Sequence, residues 1–455
     1  MENKNQGILT VVSLSVLLAS LGTSIVNIAL PSFITYFSAS FQYVQWTVIA
    51  YLIAITVFVT VAGKLVDQYG HRRVLLSGIT LFTLSSFSSA FAKDILLLIM
   101  LRGVQGIGAA VLSTVSMVMV RNSMNKVKMG FAMGMLGTSS AIGTAMGPSV
   151  GGVLLANFGW PAIFFFLATL GLSVLLLAMR FVKNKDRMNK QGSPINFMAL
   201  VLLLLSTGTY ALAMTISKDR FTINTLVLII LSVILAWCFF QIQQRSSQFL
   251  IDTTALKNKT LISSLFANFI VATVMMTTLI VGPFFLSAGL RFNELTVGLT
   301  MTAGPVISIL TGIPSGKIVD KSGAKLTMRA SMLLMLTGTI ALAFLPANWG
   351  WTGYVFGILL LTPGYQLFQA ANNTSVMTAI GEKQSGIVSG VLNLFRNAGL
   401  ITGASLMGGV FSMTTKNAPG SINKTDRIFF GMEITFLTAS LFILLILVKA
   451  FLKKR

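Results

Sequence analysis

The sequence predicts an all-α polytopic membrane protein, built as two six-helix bundles with two extra helices between them, fourteen transmembrane helices in all. Three observations carry that prediction. Of 455 residues, 55% are hydrophobic and 10% charged, and the apolar residues come in runs of about 20, the length that crosses a hydrocarbon core of about 30 Å. Basic residues alternate between rich and poor loops, as the positive-inside rule requires. Two stretches also repeat along the chain at nearly the same offset.

The runs place helices at roughly 8–32, 44–63, 73–92, 95–120, 130–156, 162–182, 195–216, 222–243, 260–286, 297–316, 327–345, 350–377, 386–411 and 428–450. MENKNQG is a short polar start, and no small-residue cleavage pattern follows the first run, so helix 1 is expected to stay. With the amino terminus inside, Lys93, Lys218, Arg220, Arg291, Lys416, Lys424 and Arg427 fall in outer loops, and Arg102 and Arg396 lie within helices. The remaining 24 of the 33 basic residues face the cytoplasm, so the net charge of +22 is topological and no nucleic-acid partner is expected. Both termini are placed in the cytoplasm of a multi-pass protein of the cell (plasma or inner) membrane. A single cysteine, Cys238, excludes an intrachain disulfide and a cysteine metal cluster, and no cofactor or metal is expected.

Helix 1 contains LGTSIVNIALP, residues 21–31, with Ser24 and Asn27 as polar residues at the seam between bundles. Between helices 2 and 3, GKLVDQYGHRR (63–73) offers Gly63 and Gly70 for a tight turn. Asp67 there can accept hydrogen bonds from helix amino-terminal amides or from Arg72 and Arg73. His71, the only histidine, reads either as a solvated loop residue or as a proton relay. Helix 4 carries Arg102, a cation that must find a partner or water, and Gln105 one turn along on the same face. Helix 5 has Gly143, Gly147, Pro148, Gly151 and Gly152, small residues for close helix contact plus a proline that removes a backbone hydrogen bond.

The charged stretch 183–194 separates a first bundle (1–182) from two additional helices (195–243), and 244–259 separates these from a second bundle (260–455). The repeat supports this division. GKLVDQYG begins at Gly63 and GKIVDKSG at Gly316, with Asp320 in the place of Asp67, an offset of 253. The glycine-rich segments beginning at Gly130 and Gly386 align at 256 and pair glycines at 143/399 and 147/403. Two homologous bundles of this kind place a transport site at the bilayer midplane.

In the second bundle Gln366, Gln369 and Asn373 form one polar stripe on helix 12, and Asn393 precedes Arg396 by a turn on helix 13. Each can line a substrate cavity or join helices by hydrogen bonds. Nearly all of the 11 carboxylates lie in loops. Only Glu433 is embedded, about 8 Å into helix 14, with pairing to Arg427 as its other reading.

These motifs together resemble the major facilitator superfamily: GKLVDQYGHRR its loop 2–3 signature, LRGVQGIGAA (101–110) its helix 4 signature, and GTAMGPSVGG (143–152) the helix 5 signature typical of exporters. With LGTSIVNIALP and GVLNLFRNAG, the sequence is most similar to the fourteen-helix drug:proton antiporter branch. The resemblance implies a secondary active exporter working by alternating access, coupled to protons, for amphipathic drugs or hydrophobic metabolites, with lipids and a small-molecule substrate as partners. It assigns proton coupling to Arg102 and a latch role to Asp67. One position departs: the helix 1 aspartate common in that branch is Gly22 here. With two embedded arginines, this leaves an anionic or lipid-like substrate as the alternative, moved by an exporter or flippase. A membrane enzyme would need clustered catalytic groups, and one histidine with almost no embedded acids argues against it. A sensor on the same scaffold would be expected to carry a soluble domain, but the longest loops are short.

Overall fold

The computed structural model describes residues 2–123, 126–182, 197–216, 223–245, 259–378, 385–418 and 423–452. The regular elements among them are helical: α1 (Glu2–Ser24), α2 (Leu30–Tyr36), α3 (Phe41–Tyr69), α4 (His71–Ser89), α5 (Ile95–Ser123), α6 (Lys126–Phe158), α7 (Pro161–Phe181), α8 (Phe197–Ile216), α9 (Ile223–Arg245), α10 (Lys259–Phe284), α11 (Glu294–Met301), α12 (Ala303–Ser322), α13 (Ala324–Thr378), α14 (Ser385–Thr402), α15 (Gly408–Lys416) and α16 (Lys424–Leu452). Ten helices among the described residues are long and apolar enough to cross a membrane. The chain is an all-helical polytopic membrane protein.

Local chemistry explains the interruptions. Between α1 and α2 the backbone tightens into a 3₁₀ stretch, Ile25–Ala29, just ahead of Pro31. Proline lacks an N–H and its ring crowds the carbonyl four residues back, so a regular α turn cannot run through. Wide π turns occupy Phe285–Gly289, after Pro283, and Gly403–Met407. The 55-residue α13 bends at Gly350, whose φ of 56° suits a residue without a Cβ. Asp94 Oδ1 accepts from the Leu97 amide at 2.8 Å ahead of α5, and Asn293 Oδ1 accepts from the Thr296 amide at 2.9 Å at α11. Two polar residues of short loops are therefore helix caps.

One compact unit comprises residues 1–209 and 230–248, the other 210–229 and 249–455. In the first, α1 packs on α6, and α5 is wedged between α3 and α4, with α7 behind α4. In the second, α10 packs on α14, α12 on α13, and α13 and α15 on α16. The pairing of α1 with α6 and of α10 with α14 follows the sequence repeat. A Cβ on Gly143 would run into the Leu17 carbonyl oxygen, and one on Gly399 into that of Phe269. In the first unit α8 and α9 are joined reciprocally: Ser206 Oγ donates to the Ser232 carbonyl (3.1 Å) and Ser232 Oγ to the Ser206 carbonyl (3.0 Å).

The expected turn between helices 2 and 3 needs correction. The helix runs on through Gly63 to Tyr69, and the connection shrinks to Gly70, φ 82°. Asp67 and Gly63 thus belong to the last turns of α3, because nothing before Gly70 demands a positive φ. The repeat holds here too, since Gly323, φ 77°, joins α12 to α13 in the same way.

Candidate functional site

Arg102 is the centre of the first unit. It has no exposed surface, yet every side of its guanidinium is met. Nε donates to the Thr47 carbonyl at 2.9 Å, Nη2 to the Gly22 carbonyl at 3.0 Å, and Nη1 to Gln105 Oε1. Gln105 Nε2 in turn donates to Ser86 Oγ at 2.6 Å. The guanidinium carbon lies 4.1 Å from the Tyr51 ring centroid, a cation–π contact, and Tyr51 Oη donates to the Ala19 carbonyl at 2.7 Å. Side chains and carbonyls of α1, α3, α4 and α5 therefore converge on one cation. Five fixed donors in a planar fork suit such a junction, whereas an ammonium would leave carbonyls unpaired.

Gly22 is part of this junction. A Cβ there would stand 2.8 Å from Tyr51 Oη and 3.1 Å from Phe82, so the helix 1 position that lacks a carboxylate is also closed to one unless Tyr51 and Phe82 move. Arg102 instead satisfies itself on carbonyl dipoles, which removes the need for a buried counter-ion.

Beside the junction runs the α1–α6 seam. Ser24 is fully buried, and its Oγ donates to the Gly143 carbonyl at 3.3 Å. Ser20 and Ser140 hydroxyls meet at 2.7 Å. A Cβ on Gly147 would collide with Ser24, and one on Gly151 would lie 2.7 Å from Ile28. Pro148 sits inside α6 and Gly152 is buried next to it. Asn27 is fully buried; its Nδ2 donates to the Thr23 carbonyl at 3.3 Å, and its Oδ1 has no hydrogen-bond partner among the described residues.

In the second unit a polar chain links three helices. Gln369 Nε2 of α13 donates to Asn268 Oδ1 of α10 at 3.3 Å, and Asn268 Nδ2 donates to the Leu392 carbonyl of α14 at 3.1 Å. Gln366 Nε2 bonds Ser308 Oγ of α12. Thr273 Oγ1 donates to the Gly399 carbonyl at 3.0 Å, and Tyr210 Oη meets Thr402 Oγ1 at 2.9 Å. Arg396 lies one turn beyond Leu392, half-buried, with its Nε buried and without a hydrogen-bond partner among the described residues. Asn373 is exposed, while its neighbour Asn372 is fully buried with neither side-chain polar atom hydrogen-bonded among the described residues. Glu433 is half-buried on α16.

Of the residues in the loop 2–3 motif and its repeat, Arg72 and Arg73 lie in the first turn of α4; the Arg72 Nε is buried without a hydrogen-bond partner among the described residues, and Arg73 is exposed. Asp320 is exposed near the end of α12. The side chains of Asp67 and Asn393 lie outside the described residues. Sequence reasoning did not single out Tyr51, Ser86, Asn268 or Asn372. A lone tyrosine, serine or asparagine in an apolar run carries a weak signal, and only the partner across the seam gives it meaning.

The profile of the Major Facilitator Superfamily matches residues 12–404. The riboflavin transporter RibZ of Clostridioides difficile is 26% identical over 98% of this chain and 97% of its own length. The multidrug transporter protein MdtP of Bacillus subtilis is 23% identical over 91% of this chain and 77% of its own length. Among solved structures, a bacterial homologue of the human lysosomal transporter Spinster, inward-facing and unoccupied, superposes with a TM-score of 0.70 at 12% identity, covering 99% of this chain and 97% of that one. The nucleoside transporter NupG gives 0.67 at 14% identity, covering 99% and 100%. A polytopic helical chain whose glycine-packed seam recurs in both halves, matched by that profile over most of its length, belongs to the Major Facilitator Superfamily and is a secondary transporter, not an enzyme.

Proposed function

We propose that this transporter is an exporter of amphipathic drugs or hydrophobic metabolites, driven by proton antiport and working by alternating access. The observation that carries the reading is the α1–α6 seam, where Gly143, Gly147 and Gly151 bring the helices together with little side chain between them. Such a contact can shift by small rotations without repacking large groups, which suits a gate with two arrangements. The relative named as a multidrug transporter, MdtP, agrees with it. Fourteen crossings, with both termini in the cytoplasm, fit the bend of α13 at Gly350 and the basic bias of the sequence, and a 6 + 2 + 6 division fits the repeat.

In this reading Asp67, Gly70, Arg72, Arg73 and Asp320 form the latch, and Gly143, Gly147, Pro148, Gly151 and Gly152 the gate. Ser24, Asn27, Gln105, Gln366, Gln369, Asn373, Asn393 and Arg396 serve the substrate path. A guanidinium keeps its proton in proteins, so Arg102 would couple by exchanging hydrogen-bond partners, while Glu433 is the embedded group able to release a proton. The test is transport by the full chain in proteoliposomes under an imposed pH gradient, with cationic, neutral and anionic candidates in parallel. Uptake that follows the gradient, and uncouples from it in Glu433→Gln, is the expected result. Transport indifferent to the gradient would remove antiport, and intact coupling in Glu433→Gln would clear that residue.

A second reading is export or flipping of an anionic or lipid-like substrate. It is favoured by Arg396, a half-buried cation whose Nε has no hydrogen-bond partner among the described residues, and by Gly22, which stands where a carboxylate for a cationic drug would be. Loss of anion transport in Arg396→Ala, with cation transport kept, would decide for it.

A further inference from the structure

We propose that the second unit carries a site for an anionic phospholipid, at the end of the bundle where α10 and α13 begin and α16 ends. A cleft of about 180 Å³ opens there between the three helices, lined by Ser263, Phe266 and Ile270 of α10, Met332 of α13, and Leu445 and Lys449 of α16. Its polar residues, Ser263, Ser264 and Lys449, all lie near helix ends, with apolar Met328 of α13 beside them and Ile270 and Met332 deeper. Ser263 lies four residues inside the start of α10 and Lys449 three residues before the end of α16, so both stand within about one turn of a helix end. Ile270 lies seven residues further along α10, about 10 Å deeper at 1.5 Å per residue.

Two hydroxyls and an ammonium near the helix ends, with Ile270 and Met332 deeper, match the order of groups in a phospholipid, phosphate first and acyl chain after. The ammonium of Lys449 lies 6.0 Å from the Phe266 ring centroid. No carboxylate lines the cleft, so the positive charge at its mouth has no anion from the lining residues. Charge complementarity therefore selects a phosphate without a compensating cation of its own. The cleft is smaller than the roughly 300–1,000 Å³ of an enclosed ligand pocket, so it holds part of a molecule whose remainder lies in the bilayer. Phe266 and Leu445 are 52% and 59% exposed, which leaves the cleft open sideways to lipid.

Native mass spectrometry of the full-length protein, released from micelles holding equal amounts of phosphatidylglycerol and phosphatidylcholine with the same acyl chains, tests this. The expected result is about fivefold preferential retention of phosphatidylglycerol, the scale set by one interfacial lysine. Lys449→Gln should bring retention to parity and Lys449→Arg should preserve the preference. Ile270→Trp, or Leu445→Trp if that variant does not fold, should fill the floor and reduce retention of both lipids. Lys416→Gln removes one charge at the end of α15 and should leave the preference intact. Equal retention by the unmodified protein, an intact preference in Lys449→Gln, or the same loss in Lys416→Gln would each overturn the site.

Discussion

Arg102 and Arg396 are both cations inside apolar helices, one in each unit, and their surroundings are opposite. Arg102 is sealed and fully partnered by two carbonyls, an amide oxygen and an aromatic face. Arg396 is half-buried, its Nε without a hydrogen-bond partner among the described residues, one turn beyond Leu392, where a polar chain from Gln369 through Asn268 ends. The sequence repeat sharpens the contrast, because the 256-residue offset sets Arg396 opposite Ser140, whose hydroxyl is paired with Ser20 across the α1–α6 seam. An embedded cation that has solved its own electrostatics holds a bundle together. Arg396 keeps one buried donor without a hydrogen-bond partner among the described residues.

The largest expected effect breaks the first side of that comparison. Arg102→Ala strands the Gly22 and Thr47 carbonyls and Gln105 Oε1, at about 1–3 kcal/mol for each buried group left unpaired, so a loss of about 3 kcal/mol or more is expected. Thermal unfolding of the detergent-purified protein reads it, and Arg102→Lys should recover less than half of the loss because an ammonium cannot reach all three acceptors. An unchanged midpoint in Arg102→Ala would sink the junction.

Next come the two seams, which should behave alike. Gly143→Ala and Gly399→Ala each drive a methyl into a backbone carbonyl, Leu17 or Phe269, and backbone cannot step aside. Overpacking of this kind costs about 1–3 kcal/mol. If one substitution is neutral while the other is costly, the packing equivalence of the two halves fails.

Gly22→Ala is a milder insult, since the nearest obstacles are the side chains of Tyr51 and Phe82. We expect a cost of about 1 kcal/mol, partly relieved when Tyr51→Phe removes the hydroxyl 2.8 Å from the new carbon. A double-mutant cycle that is simply additive would show that Tyr51 does not close this position.

The smallest stability change is predicted for Arg396→Ala. With its Nε unpaired, removing it should shift the unfolding free energy by less than about 1 kcal/mol, while a loss of several kcal/mol would mean that Arg396 is a structural residue like Arg102.

Apolar runs and basic bias made the membrane class legible, and the repeat made the equivalence of the seams legible, because glycine spacing translates directly into where backbones can touch. Arg102 with Gln105 was legible as a pair from its three-residue spacing on one helix. The rest of the junction was not: Tyr51, Ser86 and the Gly22 and Thr47 carbonyls come from other helices, and no local pattern brings them together. The polar stripe named Gln366, Gln369 and Asn373; the first two bond Ser308 and Asn268, whereas Asn373 is exposed and its neighbour Asn372 buried, a shift of one residue that turns a side chain by about 100°. The length of the turn at Gly70 was likewise misread, because two glycines in GKLVDQYG look equivalent until the backbone reveals that only one has a positive φ.

That single-residue connection has a mechanical consequence. Consecutive Cα atoms are about 3.8 Å apart, so the end of α3 and the start of α4 are tied by a tether with almost no slack. Any tilt of one helix must appear at once at the base of the other, as in a crank rather than a cord. Gly323 fastens α12 to α13 in the same fashion, and lengthening either joint by two or three flexible residues would disengage the crank while leaving every intramembrane contact in place.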